Sequence, residues 1–253
     1  MLLKFAYDGT KFFGYQRQQN VPTVEGEILR VLKELNIAEK LRSASRTDRG
    51  VSALGNVIHI TTYKKPADVI GMLNSHLQDI YFYAYSDANI NPRHAHRRWY
   101  RYHLYDFGYD LDKLREAAEI FTGFHDFKYF TRARKNTALE IYEISVSRMG
   151  KIICIDFHAQ NYVWNLIRRI VAAMIHYQKN AFGDEVFERK NNFGTAPPEP
   201  LILMDVFYKN VEFVTIPFKR KLREFFANRH ISSYVYYYLA SFGENYKSFE
   251  PMQ

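Results

Sequence analysis

Hydrophobic residues change their spacing several times along the chain, and each change marks an element. Lys4-Phe5-Ala6-Tyr7 reads as a short strand, closed by turn residues at Asp8-Gly9-Thr10. Thr23, after Pro22, is placed to cap a helix. Val24, Ile28, Val31, Leu32 and Leu35 then fall on one apolar face over about three turns. Val57, Ile58 and Ile60, with Thr61 and Thr62, make Val51 to Thr62 strand-like. Ala67 to Leu77 predicts a shorter helix with Val69, Ile70, Leu73 and Leu77 inward, and Tyr81 to Tyr85 a further strand. Asn89 to Arg98 is polar and contains Pro92, which marks a loop or linker.

Beyond that linker the alternation returns. Tyr100, Tyr102 and Leu104 alternate with Arg101 and His103, predicting a strand over Trp99 to Phe107. Asp110 precedes a helix carrying Leu111, Leu114, Ala118 and Phe121, and Gly123 fits its stop. Glu140 to Arg148 and Lys151 to Phe157 read as strands around a Met149-Gly150 turn. Asn161 is the expected cap of a helix with Val163, Leu166, Ile167, Ile170, Val171 and Met174 inward, and Leu201 to Phe207 is a last strand. The order predicts an α+β fold, with helices on one face of a largely antiparallel sheet and a duplicated ferredoxin-like plan. The expected segments are 1–97 for one α+β half, 98–215 for the other, and 216–253 for a tail packed on the second half. That tail carries a basic helix over Lys219 to Arg229 and an aromatic stretch from Tyr234 to Tyr238.

Composition narrows the class. Of 253 residues, 47% are apolar and 17% aromatic, which excludes intrinsic disorder, and 12 Gly with 8 Pro exclude a collagen-like chain. No apolar run approaches the roughly 18–20 residues of a membrane span, and Leu2 to Phe5 is too short for a signal peptide's apolar region. The single Cys154 allows neither an internal disulfide nor a cysteine-based zinc site, so a reducing, cytoplasmic setting is expected. Lys and Arg number 35 against 27 Asp and Glu, a net charge of +8, and there are 20 Tyr. This balance suits a polyanionic partner whose bases can be stacked upon.

Three segments carry candidate chemistry. In Ser45-Arg46-Thr47-Asp48-Arg49-Gly50-Val51, a lone carboxylate stands between arginines. An ordinary Asp pKa of about 3.9 leaves it charged at neutral pH, suited to a nucleophile or base rather than to a metal, which wants a second acidic ligand. The plain alternative is a turn. In Arg93-His94-Ala95-His96-Arg97-Arg98-Trp99-Tyr100-Arg101-Tyr102, arginines interleave with aromatics as RNA contact requires; the alternatives are a solvated basic strand, or a metal on His94 and His96 that lacks a third ligand. Arg168 and Arg169 interrupt an apolar helix. Arg168 shares a face with Val171 and Ile175, so it turns inward, where pairing with Asp48 satisfies a buried charge. Nucleophilic triads, phosphate loops and dinucleotide fingerprints are absent.

Taken in order, these segments resemble the tRNA pseudouridine synthase A family, in its archaeal form. Tyr7-Asp8-Gly9-Thr10 with Phe13-Gly14-Tyr15-Gln16-Arg17-Gln18 is similar to the family's first motif, and Thr23-Val24-Glu25-Gly26 to its first helix start. Arg46-Thr47-Asp48-Arg49-Gly50-Val51-Ser52-Ala53 is similar to the catalytic loop, and Arg98-Trp99-Tyr100-Arg101-Tyr102 to the Arg-x-Tyr-x-Tyr strand. Gly123-Phe124-His125-Asp126-Phe127 and Ile167-Arg168-Arg169-Ile170-Val171 complete the set, over roughly residues 3 to 208. Ser45 departs from the family's usual Gly, and Pro200 from a Gly in the last motif.

The resemblance implies a pseudouridine synthase fold, two ferredoxin-like halves whose mostly antiparallel sheets join into one, with flanking helices and a basic cleft. It implies isomerisation of uridine to pseudouridine in tRNA, at positions 38–40 of the anticodon arm, without metal or cofactor, by a homodimer. Asp48 then takes the place of the catalytic aspartate and Tyr100 that of the tyrosine stacked on the target base. Arg46 and Arg168 position the loop and pair with the aspartate. Tyr15, Gln16, Arg49, Arg93, Arg97, Arg98 and Arg101 are the expected RNA contacts. The competing classes are a synthase acting at other tRNA sites, a non-catalytic RNA-binding protein, and a metal-dependent nuclease using His94, His96 and Asp48.

Overall fold

The computed structural model describes residues 1–220 together with 223, 224 and 227. Residues 1–215 form one compact unit and 216–253 a second. Of the basic helix expected over 219–229, Arg220, Arg223, Glu224 and Ala227 are helical, with Arg220 paired to Glu224 at 2.7 Å. The rest of that helix, the aromatic stretch at 234–238 and the expected packing of the tail lie outside the described residues.

Within the first unit the elements run β1 (Leu2–Tyr7), α1 (Val24–Glu34), β2 (Arg42–Ser43), β3 (Ser52–His59), α2 (Pro66–His76) and β4 (Ile80–Ser86). Then follow β5 (Arg97–Tyr105), α3 (Leu111–Phe121), β6 (Gly123–Asp126), β7 (Ala138–Met149), β8 (Ile152–Ala159), α4 (Leu166–Tyr177), β9 (Leu201–Phe207) and β10 (Val214–Thr215). Local chemistry sets the boundaries. Thr23 accepts from the Gly26 amide at 3.3 Å to start α1, and Asp110 accepts from Asp112 and Lys113 to start α3. Apolar residues of α1 at Val24, Ile28, Val31 and Leu32 are all buried, as their spacing requires.

One sheet takes in all ten strands of the described residues, in the order β10-β4-β1-β3-β9-β5-β8-β7-β6, with β2 beside β3. The first half reads β4-β1-β3-β2 and the second β9-β5-β8-β7, all antiparallel within each half. That is the ferredoxin-like plan twice, fourth-first-third-second, with β6 and β10 added at the edges. The halves join where β3 and β9 run parallel, Ser52 beside Ile202 and Ala53 beside Leu203. β2 occupies the other end of the same side of β3, beside Ile58 and His59. The polypeptide between β2 and β3 is thereby directed to the seam between the halves.

One expectation needs correction, and three short strands leave no pattern to expect. The last helix of the second half is not capped by Asn161. It starts at Leu166, and its cap position is Asn165, which sits in the left-handed region at φ +62° with no capping side-chain bond. Residues 161–163 are irregular and 164–165 form a turn, so Val163 is not part of the helix. β2, β6 and β10 span two to four residues, too few to show a period in sequence.

Candidate active site

Loop 44–51 is held from three sides. The Ala44 amide, just past β2, still donates to the Val57 carbonyl of β3 at 2.8 Å. The Tyr7 hydroxyl bonds the Thr47 hydroxyl at 2.8 Å, and the Tyr15 amide donates to the Thr47 carbonyl at 3.1 Å. Gly9 lies against the far end of the loop, its amide donating to Ser52 Oγ at 3.0 Å. A Cβ there would collide with the Val51 carbonyl, so only glycine fits. The loop closes at Gly50 with φ +85°, a conformation glycine adopts without strain.

Asp48 emerges from this loop, half-buried, into a cavity of about 1310 Å³ between the halves. This exceeds the roughly 300–1,000 Å³ of small-molecule sites and suits one nucleotide together with parts of its neighbours. Arg168, on the first turn of α4, places Nη1 3.5 Å from Asp48 Oδ2 and is steadied by Nε donating to the Ala196 carbonyl at 2.7 Å. Burial pushes the Asp48 carboxyl above its ordinary value. The charge of Arg168 and hydrogen bonds from Trp164 and Arg168 oppose that push without cancelling it. The pairing expected of Arg168 and Asp48 is therefore present, 120 residues apart in sequence.

Tyr100 closes the floor, 7% exposed and edge-on to Tyr162 with ring centroids 5.2 Å apart. Burial raises its phenol to about 12, against the pull of Arg98 and a Ser45 hydrogen bond. At neutral pH it is an uncharged O–H beside an anionic carboxylate. The Tyr162 hydroxyl is buried without a hydrogen-bond partner.

Arg98, expected as an RNA contact, lines the cavity with most of its side chain turned inward. It is 7% exposed and its guanidinium is committed inside the protein. Nε donates to Ser45 Oγ at 3.0 Å, Nη2 to the carbonyls of Ala44 at 2.8 Å and Arg93 at 3.1 Å, and Nη1 to the Gln160 carbonyl. One side chain of β5 thus ties the catalytic-type loop to the linker and to the end of β8. Ser45 links Arg98 to Tyr100, which gives the hydroxyl at this position a structural use.

The other expected residues divide. Arg46, Arg49, Arg93 and Gln16 are exposed and line the cavity, with Arg49 stacked 4.2 Å over the Phe13 ring. Tyr15 reaches the wall, but it is 1% exposed and donates its hydroxyl to Ser43 at 2.6 Å, so it supports the loop and offers RNA no polar group. Arg101 is also not a cleft residue: alternation along β5 turns it to the sheet face opposite Tyr100, where it binds Asp156 through two bonds of 2.9 Å. Arg97 shares that face, stacked 4.4 Å over Phe207. His94 and His96 are exposed in the loop before β5 and not on a strand. Among the described residues no three His, Cys, Asp or Glu side chains cluster at metal-ligand spacing. The Gly123–Phe127 motif is structural: Phe127 is buried and His125 stacks on Phe187 at 4.2 Å.

Sequence reasoning missed Phe13 and Trp164, both on the cavity wall and both well exposed for aromatics. The available signal was that Trp164 falls outside the apolar stripe of the helix expected around it.

A carboxylate paired with an arginine, in an open cleft between two ferredoxin-like halves lined by Arg46, Arg49, Arg93 and Arg98 as well as Glu199, suits an enzyme that acts on a nucleic acid. Residues 117–209 match the family model described as tRNA pseudouridine synthase. A protein of Pyrococcus furiosus named tRNA pseudouridine synthase A is 39% identical over 83% of this chain and 84% of its own length. Its namesake in Pyrococcus abyssi is 37% identical over 92% and 95%, and that of Picrophilus torridus 34% identical over 87% of each. The chain belongs to the tRNA pseudouridine synthase A family, a family of isomerases. A solved H/ACA RNP bound to a substrate RNA containing 2'-deoxyuridine aligns with 68% of this chain and 44% of its own at 17% identity and a TM-score of 0.36, too loosely to carry an argument.

Proposed function

We propose that this enzyme isomerises uridine to pseudouridine in tRNA at positions 38–40 of the anticodon arm, with Asp48 as its catalytic carboxylate. The observation that carries the reading is Asp48 itself: a half-buried carboxylate, paired with Arg168, facing a cleft whose lining carries Arg46, Arg49, Arg93 and Arg98 and, besides Asp48, the exposed Glu199. A module that only bound phosphates would be weakened by a negative charge there.

The reaction breaks the N1–C1′ bond, turns the uracil and forms C5–C1′; the C5 proton leaves and N1 gains one, so no oxidant or second substrate is consumed. An ionised Asp48 serves this either by attacking C1′ or by removing the 2′ proton to give a glycal. The charge of Arg168 favours the ionised carboxylate against the opposing effect of burial. Tyr100, its phenol pushed up to about 12 and so neutral at pH 7, offers a flat ring for the displaced base and a phenol for proton transfer near C5. A base inside a stem must first leave its stack, which costs a few kcal/mol, and phosphate contacts with Arg46, Arg49 and Arg93 oppose that cost. A homodimer working in the cytoplasm on tRNA is the biological setting of this reading. Among the described residues no helix is long and apolar enough to cross a membrane.

The deciding experiment uses unmodified tRNA transcript and nucleotide-resolution mapping of pseudouridine. New pseudouridine at positions 38–40 is the expected result. Asp48→Asn abolishes it while leaving tRNA binding within a few-fold; full turnover by that variant would remove Asp48 from its role.

A further inference from the structure

Trp164 is 53% exposed and one of only two tryptophans, yet it is firmly held. Thr131 Oγ1 donates to its carbonyl at 2.9 Å, and Asn165 at φ +62° turns the chain beyond it. Its indole N–H serves Asp48. Over the ring lies the Arg132 guanidinium, 5.8 Å from the centroid, within reach of a cation–π contact. Arg132, Arg134 and Lys135 are all exposed in the loop that Thr131 ties to Trp164. Among the described residues none of the three has a carboxylate within ion-pair distance. An indole that only filled the core would be covered, and this one has the exposed Arg132 over its ring, with Arg134 and Lys135 two and three residues further along the same loop. Open aromatic faces next to free cations hold single-stranded nucleotides, base on ring and phosphate on charge.

We propose that Trp164 and loop 132–135 form a second RNA subsite, in which the base adjoining the target uridine stacks on Trp164 and the phosphates beyond it run over Arg132, Arg134 and Lys135. The subsite rests on the RNA-isomerase reading and specifies how that substrate is gripped. The N–H edge of the ring faces Asp48, so a base on its face is a direct neighbour of a uridine held at the carboxylate. Removing a flanking base from the stack in this way also opens the helix around the target.

The test measures equilibrium binding of unmodified tRNA transcript and, separately, the single-turnover rate of pseudouridine formation. Trp164→Ala weakens binding by roughly 5–150-fold, and Trp164→Phe recovers most of that loss because any aromatic face stacks. Both variants lose the N–H to Asp48, so any slowing of the chemical step is common to both and separable from the binding effect. In a Trp99→Phe background Trp164 is the only indole, and its emission is quenched as tRNA binds. Arg132→Ala lowers the slope of log K against log salt by about 1. Alanine binding as tightly as the parent, or phenylalanine as weakly as alanine, overturns the subsite. If the parent enzyme made no pseudouridine, the isomerase reading would fail, while the binding and quenching measurements would still decide the subsite.

Discussion

At the scale of single residues, Asp48 sets a conflict between stability and activity. Burial raises its pKa in the folded chain above the unfolded value. Such a group binds its proton more tightly when folded. Its contribution to stability is therefore greatest below the unfolded carboxylate value and is lost as pH rises through the folded one. Asp48→Asn, a neutral copy of the protonated side chain, should raise the thermal midpoint at neutral pH, with the gain vanishing in acid where the parent carboxyl is also protonated. Thermal unfolding across a pH series checks this. Arg168→Lys loses the Nε bond to Ala196 and part of the pull on the carboxylate, so the acid limb of the rate profile moves to higher pH; an unmoved limb would sever the proposed coupling. Tyr162→Phe removes a buried hydroxyl that has no partner and should leave stability unchanged or raise it by up to about 1 kcal/mol. Asp48 and Arg168 were legible as chemistry from residue type and spacing. Trp164 was not, because exposure is a tertiary property and its segment reads as the start of a helix.

At the scale of elements, periodicity and caps located the four helices of residues 1–215 and the long strands, since each has a one-sided apolar pattern to bury. The failures follow from the same cause. β2, β6 and β10 bury too little to leave a pattern, and the turn before α4 hides within an apolar run. Strand alternation also separates Tyr100 from its neighbours Trp99 and Arg101. A composition of interleaved arginines therefore mixed cleft residues with residues of the opposite sheet face. Arg98 shows a further reason: a buried guanidinium with neutral oxygen partners has the same sequence appearance as one that meets phosphate. Arg98→Ala strands four internal acceptors and should cost on the order of 2–4 kcal/mol, read by urea unfolding. Arg98→Lys reaches fewer of them and should slow pseudouridine formation more than it weakens tRNA binding, because the displaced part is the loop that carries Asp48.

At the scale of the whole molecule, the net charge of +8 predicts salt-sensitive tRNA binding. The slope in log K against log salt is about −0.9 per duplex phosphate neutralised, and titrations between low and moderate salt measure it; a flat response would make the charge incidental. The narrow seam between the halves has a consequence in time. Asp48 leaves the ribosome well before Tyr100 and 120 residues before Arg168. The first half can complete its own four strands while its carboxylate still lacks both partners. Chemistry is thereby withheld from the nascent first half until Tyr100 and Arg168 have been made and β9 has paired with β3.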